Sequence, residues 1–149
     1  MAELVIRKAM LSDLPRILAL LTDDDLGKLS DTHVTERHLA AFFAIDGDVN
    51  QFLAVGEVGG DVITTLQLTF VPGLARNGMR RALVEAVRVD QSVRGRGLGS
   101  QVMRWALEKS ASEGCSMVQL LMDKRRIESG RFYESLGFKR SHDGFRAYF

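Results

Sequence analysis

The stretch VRVDQSVRGRGLGSQVM, residues 87–103, sets Gly95, Gly97 and Gly99 at alternate positions beside Arg94 and Arg96. The valine-rich run RALVEAVRVD (81–90) leads into it and reads as a strand. Beyond it Leu98, Val102, Trp105 and Ala106 recur at helical spacing as far as Glu113-Gly114, where glycine is a natural helix stop. Strand, glycine-rich turn and helix, in that order, present unpaired backbone N–H groups and the positive end of a helix dipole to an anion. Glycines leave the backbone bare, so phosphate oxygens can approach the amides closely. The spacing fits neither G-x-x-x-x-G-K-[ST], since no Lys-Ser or Lys-Thr follows, nor the dinucleotide fingerprint, which wants two residues between its second and third glycines. A phosphate cradle, a flexible connection with solvated arginines and a basic patch for nucleic acid remain as readings.

Composition weighs against the last of these. The chain has 149 residues, 46% of them apolar, enough for one domain with a sizeable core. Twenty Lys and Arg against nineteen Asp and Glu leave a net charge of +1, so no global field draws nucleic acid or an anionic membrane. The helix after the loop, SQVMRWALEKS, is balanced in charge and lacks the basic stripe with interleaved aromatics that single strands require. Glu3, Arg7 and Lys8 interrupt the N-terminal apolar residues, and no run approaches 18 apolar residues, so the expectation is a soluble cytoplasmic protein with neither signal peptide nor membrane span. Cys115 stands alone and His33, His38 and His142 lack ligand spacing, so no metal site is expected.

Along the chain, ELVIRK (3–8) reads as a strand, Ser12 to Pro15 as a helix start with Leu14, Ile17, Leu18 and Leu21 on one apolar face, and 35–45 as a second helix. QFLAVGEV and DVITTLQLTFV form a hairpin about Gly59-Gly60 that Pro72-Gly73 ends. MVQLLM (117–122) is a strand, 127–136 a short helix, and 137–149 is expected to form two short strands around Asp143-Gly144. The order β-α-α-β-β-β-α-β-α-β-β is that of a single mixed α/β domain over residues 1–149.

Two motifs then combine. Arg94-Gly95-Arg96-Gly97-Leu98-Gly99 after the fourth strand, and Phe132-Tyr133-Glu134-Ser135-Leu136-Gly137-Phe138 later, resemble the R/Q-x-x-G-x-G/A and F/L-Y-x-x-x-G-F signatures of the GNAT (Gcn5-related N-acetyltransferase) superfamily. The resemblance implies a mixed, mostly antiparallel sheet flanked by helices. It implies an enzyme that moves the acetyl group of acetyl-CoA to a primary amine of a small molecule or peptide by direct transfer. The alternative is an acyl-CoA-binding or sensing protein without catalysis. The donor's pyrophosphate would rest on the backbone of Arg94, Gly95, Arg96, Gly97, Leu98, Gly99 and Ser100. Its pantetheine would pair, like an added strand, with the edge that carries Val87 and Val89, where this strand and the next splay apart in the family. A homodimer is common among such proteins. One departure is visible: an Asn often found seven residues before the tyrosine is Arg126 here.

The resemblance makes Tyr133 the candidate general acid, since a phenol of pKa about 10 can hydrogen-bond a departing thiolate and protonate it late in the step. Strict alternation places Glu85 on the face of Leu83, Val87 and Val89, where an unpaired carboxylate would be costly to bury, so Glu85 faces a wet cleft or has a partner. Members of the family often keep a carboxylate there to draw the acceptor ammonium or relay its proton. A backbone N–H near Val87 is expected to meet the oxyanion. The acidic run Asp23, Asp24, Asp25 ends the first helix against its macrodipole; Asp24 and Asp25 are candidates for selecting a cationic amine, beside the plainer reading of a solvated loop. The run DKRRIESGRFYESLGFKRSH (123–142) is similar to that of aminoalkylphosphonate N-acetyltransferases, which would call for cationic groups near the site, with Arg76, Arg80 and Arg81 as sources.

Overall fold

The computed structural model describes residues 2–22 and 33–149. Five strands, β1 (Val5–Lys8), β2 (Gln51–Val58), β3 (Asp61–Val71), β4 (Arg81–Val89) and β5 (Met117–Leu120), form one sheet in that spatial order. The first four are antiparallel, and β4 and β5 run parallel with α4 (Leu98–Ser112) as the crossover. Helices α1 (Leu14–Thr22) and α2 (Glu36–Asp46) follow β1, α3 (Ala75–Gly78) is a single turn before β4, and α5 (Ile127–Ser135) follows β5.

Each face of the sheet has its own core. Ala54, Leu66, Leu68, Phe70, Ala82 and Val84 meet Val102, Met103 and Ala106 of α4, with Phe132 and Tyr133 of α5 packed at the margin. On the other face Val55 meets Leu14, Ile17 and Leu18 of α1 and Phe42 of α2. The α4 residues Leu98, Val102, Met103, Ala106 and Ser110 are its buried face, the stripe that its sequence spacing predicts. At the start of α1, the buried Asp13 accepts from the Met10 N–H (2.7 Å) and from Arg7 (2.8 Å), which fixes the chain between β1 and the helix.

Two expectations fail. Residues 137–149 form no strand; a turn signal and a few aromatics do not make a hairpin without a face to bury it, and Phe145 and Tyr148 are exposed. The second concerns β4. Ala86 takes φ 54° and the pairing with β3 slips between Thr65 and Gln67, so β4 carries a bulge there. Glu85 therefore lies opposite Gln67, on the same side as Leu83 (opposite Thr69), whereas Val87 packs with the α4-side core. Simple alternation had put Glu85 and Val87 on one face, and the bulge separates them.

Candidate active site

Pairing between β4 and β5 runs from Arg81 with Met117 to Val84 with Leu120 and then ends, while β4 continues through Val89. The backbone of the unpaired stretch can be assigned side by side. The Asp90 N–H donates to the Ile63 carbonyl (2.8 Å) and the Arg88 carbonyl accepts from Thr64 Oγ1 (2.7 Å), so Arg88 and Asp90 turn their backbone polar groups toward β3. Polar groups alternate sides along a strand. Val87 and Val89 therefore turn theirs to the edge that β5 has left. Their carbonyls are met by arginines: Arg88 Nη1 donates to Val87 O (2.9 Å) and Arg94 Nε to Val89 O (3.1 Å). Among the described residues, Arg88 Nε is buried with no hydrogen-bond partner.

The glycine loop follows at the end of this edge. Asp90 caps the 3-10 turn Gln91–Val93, accepting from the Ser92 N–H (2.8 Å) and Oγ (2.6 Å), and is also held by the guanidinium of Arg16 from α1. Ser92 and Arg16 together pull the Asp90 carboxyl down to about 2. Gly95 (φ 80°) and Gly97 (φ 76°) are left-handed, a conformation that side chains resist, and an added Cβ at either would meet nothing within 4 Å. Gly97 is the N-cap of α4 and no side chain caps the helix. The Gln101 N–H reaches back to Gly97 O (3.2 Å), so the amides of Leu98, Gly99 and Ser100 precede the helix's own ladder, as the first-turn amides of any helix do. Open space over left-handed glycines, with first-turn amides beneath it, suits a phosphate group.

The tyrosine motif comes to the same place. A Cβ on Gly99 would lie 3.5 Å from the Phe132 ring, so the absence of a side chain lets the first turn of α4 rest on α5. Tyr133 is held edge-on between Phe132 (centroids 5.2 Å apart) and Phe138 (5.9 Å). Burial raises its pKa above the ordinary tyrosine value, against the pull of the Arg88 and Arg126 charges, so the phenol stays a proton donor at neutral pH. Glu85 is exposed on the α1 and α2 side of β4. The structure thus brings Val87, Val89, the 94–100 loop and Tyr133 to one notch, with Glu85 beside the bulge on the opposite face of the strand.

Other residues singled out in the sequence are elsewhere. Asp23, Asp24 and Asp25 lie outside the described residues. Arg80 donates to Glu113 O (3.1 Å) and Asn50 Oδ1 (3.0 Å) and covers the Phe70 ring, which is structural duty. Arg76 and Arg81 line a shallow hollow of about 230 Å³ with Gly73, Met79 and Met117. That hollow lies at the start of β4, roughly 25 Å of strand away from the glycine loop. Strict alternation puts Arg88 on the face opposite Glu85, with Val84 and Ala86, and the bulge, which no residue type announces, carries it to the face of Glu85.

The acetyltransferase (GNAT) family model matches residues 14–138. A glucosamine 6-phosphate N-acetyltransferase of Trypanosoma brucei brucei is 36% identical over 84 residues, 56% of this chain and 54% of that protein. An aminoalkylphosphonate N-acetyltransferase of Salmonella typhimurium is 36% identical over 50 residues, 34% of this chain and 32% of that protein. The matched segments thus span about half or less of these curated relatives. The crystal structure of a protein called a transcriptional regulator, from Bacillus halodurans C-125, superposes with a TM-score of 0.93 at 39% identity, covering 99% of this chain and 100% of that one. With the open edge of β4, the glycine loop and the tyrosine helix in place, the chain belongs to the GNAT acetyltransferase family.

Proposed function

We propose that the protein transfers the acetyl group of acetyl-CoA to a primary amine of a small molecule. The observation that carries this reading is the edge of β4 beyond Val84, open to pairing and aimed at the amides of the 94–100 loop. The pantetheine amides take the place of the arginine donors on Val87 O and Val89 O, and the pyrophosphate lies over Gly95 and Gly97 against the first turn of α4. The Val87 N–H, on the open edge beside the bulge, is placed to donate to the oxyanion as the tetrahedral intermediate forms.

In the reaction the amine nitrogen attacks the thioester carbon, a C–N bond forms and the C–S bond breaks. The electron pair of that bond leaves on sulfur. Tyr133 donates a hydrogen bond to the developing thiolate and then its proton, and the extra proton on nitrogen departs through water to Glu85, whose exposure leaves it in contact with solvent. Both relatives named above are N-acetyltransferases of amines that carry a phosphorus oxyanion by name, which supports a small-molecule acceptor.

The name of the Bacillus halodurans protein favours a second reading, an acyl-CoA sensor that binds the donor and transfers nothing. One experiment separates the two. Calorimetric titration with CoA and a thiol-release assay over a panel of amines should give binding together with amine-dependent release. Binding with release no faster than background hydrolysis would support the sensor, and absence of CoA binding would dispose of both.

A further inference from the structure

Two side chains of opposite charge stand on one face of β4 in the stretch that β5 leaves open. Glu85 lies opposite Gln67 and Arg88 opposite Thr65, and Gln67 and Thr65 are two apart on β3, so they project to the same side. The bulge at Ala86 is what sets residues three apart in sequence on a common face. Their backbone positions differ by about 7 Å along the strand.

The two ends differ in what they lack. The Glu85 carboxylate is exposed. Arg88 is half-buried, and its Nε is withdrawn from water without an acceptor. A cationic N–H in that state is costly until an oxygen meets it. The other bond of this guanidinium, from Nη1, goes to Val87 O, the carbonyl that the reading above gives to the donor. Once the donor takes that carbonyl, the Arg88 fork has no acceptor among the described residues. Arg80, a source of cationic charge on sequence grounds, is bonded to Glu113 and Asn50 instead.

We propose that Glu85 and Arg88 together read a short zwitterionic acceptor, with Glu85 meeting its ammonium and Arg88 an oxyanion one or two carbons from the amine. This rests on the acetyl-transfer reading and names its substrate class. A guanidinium fork pairs well with two oxygens of a phosphonate or a carboxylate. A neutral alkylamine leaves the Arg88 donors unmet, and rejection of that kind is stronger than rejection by shape alone.

The test compares 2-aminoethylphosphonate, β-alanine and n-propylamine as acceptors for the wild-type protein, Arg88→Met and Arg88→Lys, with thiol release as readout. The wild type should prefer the better of the two zwitterions over propylamine by about 30-fold or more in kcat/KM. Arg88→Met should remove most of that preference through KM, and Arg88→Lys should restore part of it, because a point charge replaces a fork. Which zwitterion shows the dependence on Arg88 identifies the oxyanion as phosphonate or carboxylate. Equal use of propylamine by the wild type, or a loss in Arg88→Met that is the same for acceptors with and without an oxyanion, overturns the proposal. Thiol release with none of the three, while other amines of the wider panel are acetylated, overturns this inference alone, and release with no amine of the panel, while CoA still binds, removes the acetyl-transfer reading with it.

Discussion

The first four residues of β4 are paired with a strand on either side, and of the last five Glu85, Arg88 and Val89 pair with β3 alone. In the doubly paired half Ala82 and Val84 are 0% and 2% exposed, and they serve the core. The other half holds Glu85, a left-handed Ala86, two valines whose backbone faces an open edge, and Arg88. A non-glycine residue held at φ 54° costs about 1–3 kcal/mol and persists only where the surroundings enforce it. The strand tolerates that cost at the point where pairing stops, so one element builds the domain at one end and leaves an open edge at the other.

Substitutions at three positions test how separate the two halves are, in descending order of effect. Gly97→Glu should weaken CoA binding by about 100-fold or more, because it puts a carboxylate over the amides that are to hold the pyrophosphate and forces a side chain into φ 76°. Gly97→Ala imposes only the conformational strain, since no atom lies within 4 Å of its Cβ, and should cost about tenfold or less. Calorimetry on both measures the difference, and equal losses would mean the loop acts through its shape alone. Tyr133→Phe keeps the ring between Phe132 and Phe138 and so should leave the unfolding midpoint nearly unchanged. It should lower kcat about 100-fold on a good acceptor, the size of a lost general acid. An unchanged kcat would remove Tyr133 from the chemistry. Val84→Ala, in the doubly paired half, is the reverse case. It should lower stability by about 2 kcal/mol in urea, through lost burial and a small cavity, with CoA affinity per folded molecule unaltered. If affinity fell with stability, the two halves of β4 would be coupled.

The sequence reveals the doubly paired half better than the open one. The β2–β3 hairpin, the buried stripe of α4 and the strand, glycine loop, helix order are legible because periodicity and glycine placement are local signals. The two signature motifs converge on one notch, and the contact between Gly99 and Phe132 gives the physical reason. What alternation cannot foresee is the bulge at Ala86, because alanine has no preference for φ 54° and the deviation comes from tertiary packing. That one residue sends Val87 to the opposite face from Glu85 and brings Arg88 to the face that Glu85 occupies. The missing tail strands have a related cause: Asp143-Gly144 is a local turn signal, but a hairpin also needs a face to bury, and Phe145 and Tyr148 stay exposed.

The weakest effect concerns the junction where the open half ends. Asp90 ties the last residue of the edge to Ser92 and to Arg16 of α1, so it holds the entry to the glycine loop in place. In the folded protein its carboxyl titrates at about 2, and in the unfolded chain near the ordinary 3.8. A depressed folded value means stability that is fully present above the unfolded pKa and is lost as pH falls through the folded one. With the Arg16 side chain 41% exposed, solvent screening leaves a contribution of about 1 kcal/mol. Asp90→Asn keeps an oxygen for the Ser92 N–H but no charge, so it should be less stable than the wild type by about that amount at pH 7. In urea titrations the gap should hold down to about pH 5 and narrow steadily between pH 4 and pH 2. A gap that stays constant across that range would show that the Asp90 charge contributes nothing and that the hydrogen bonds alone hold the junction.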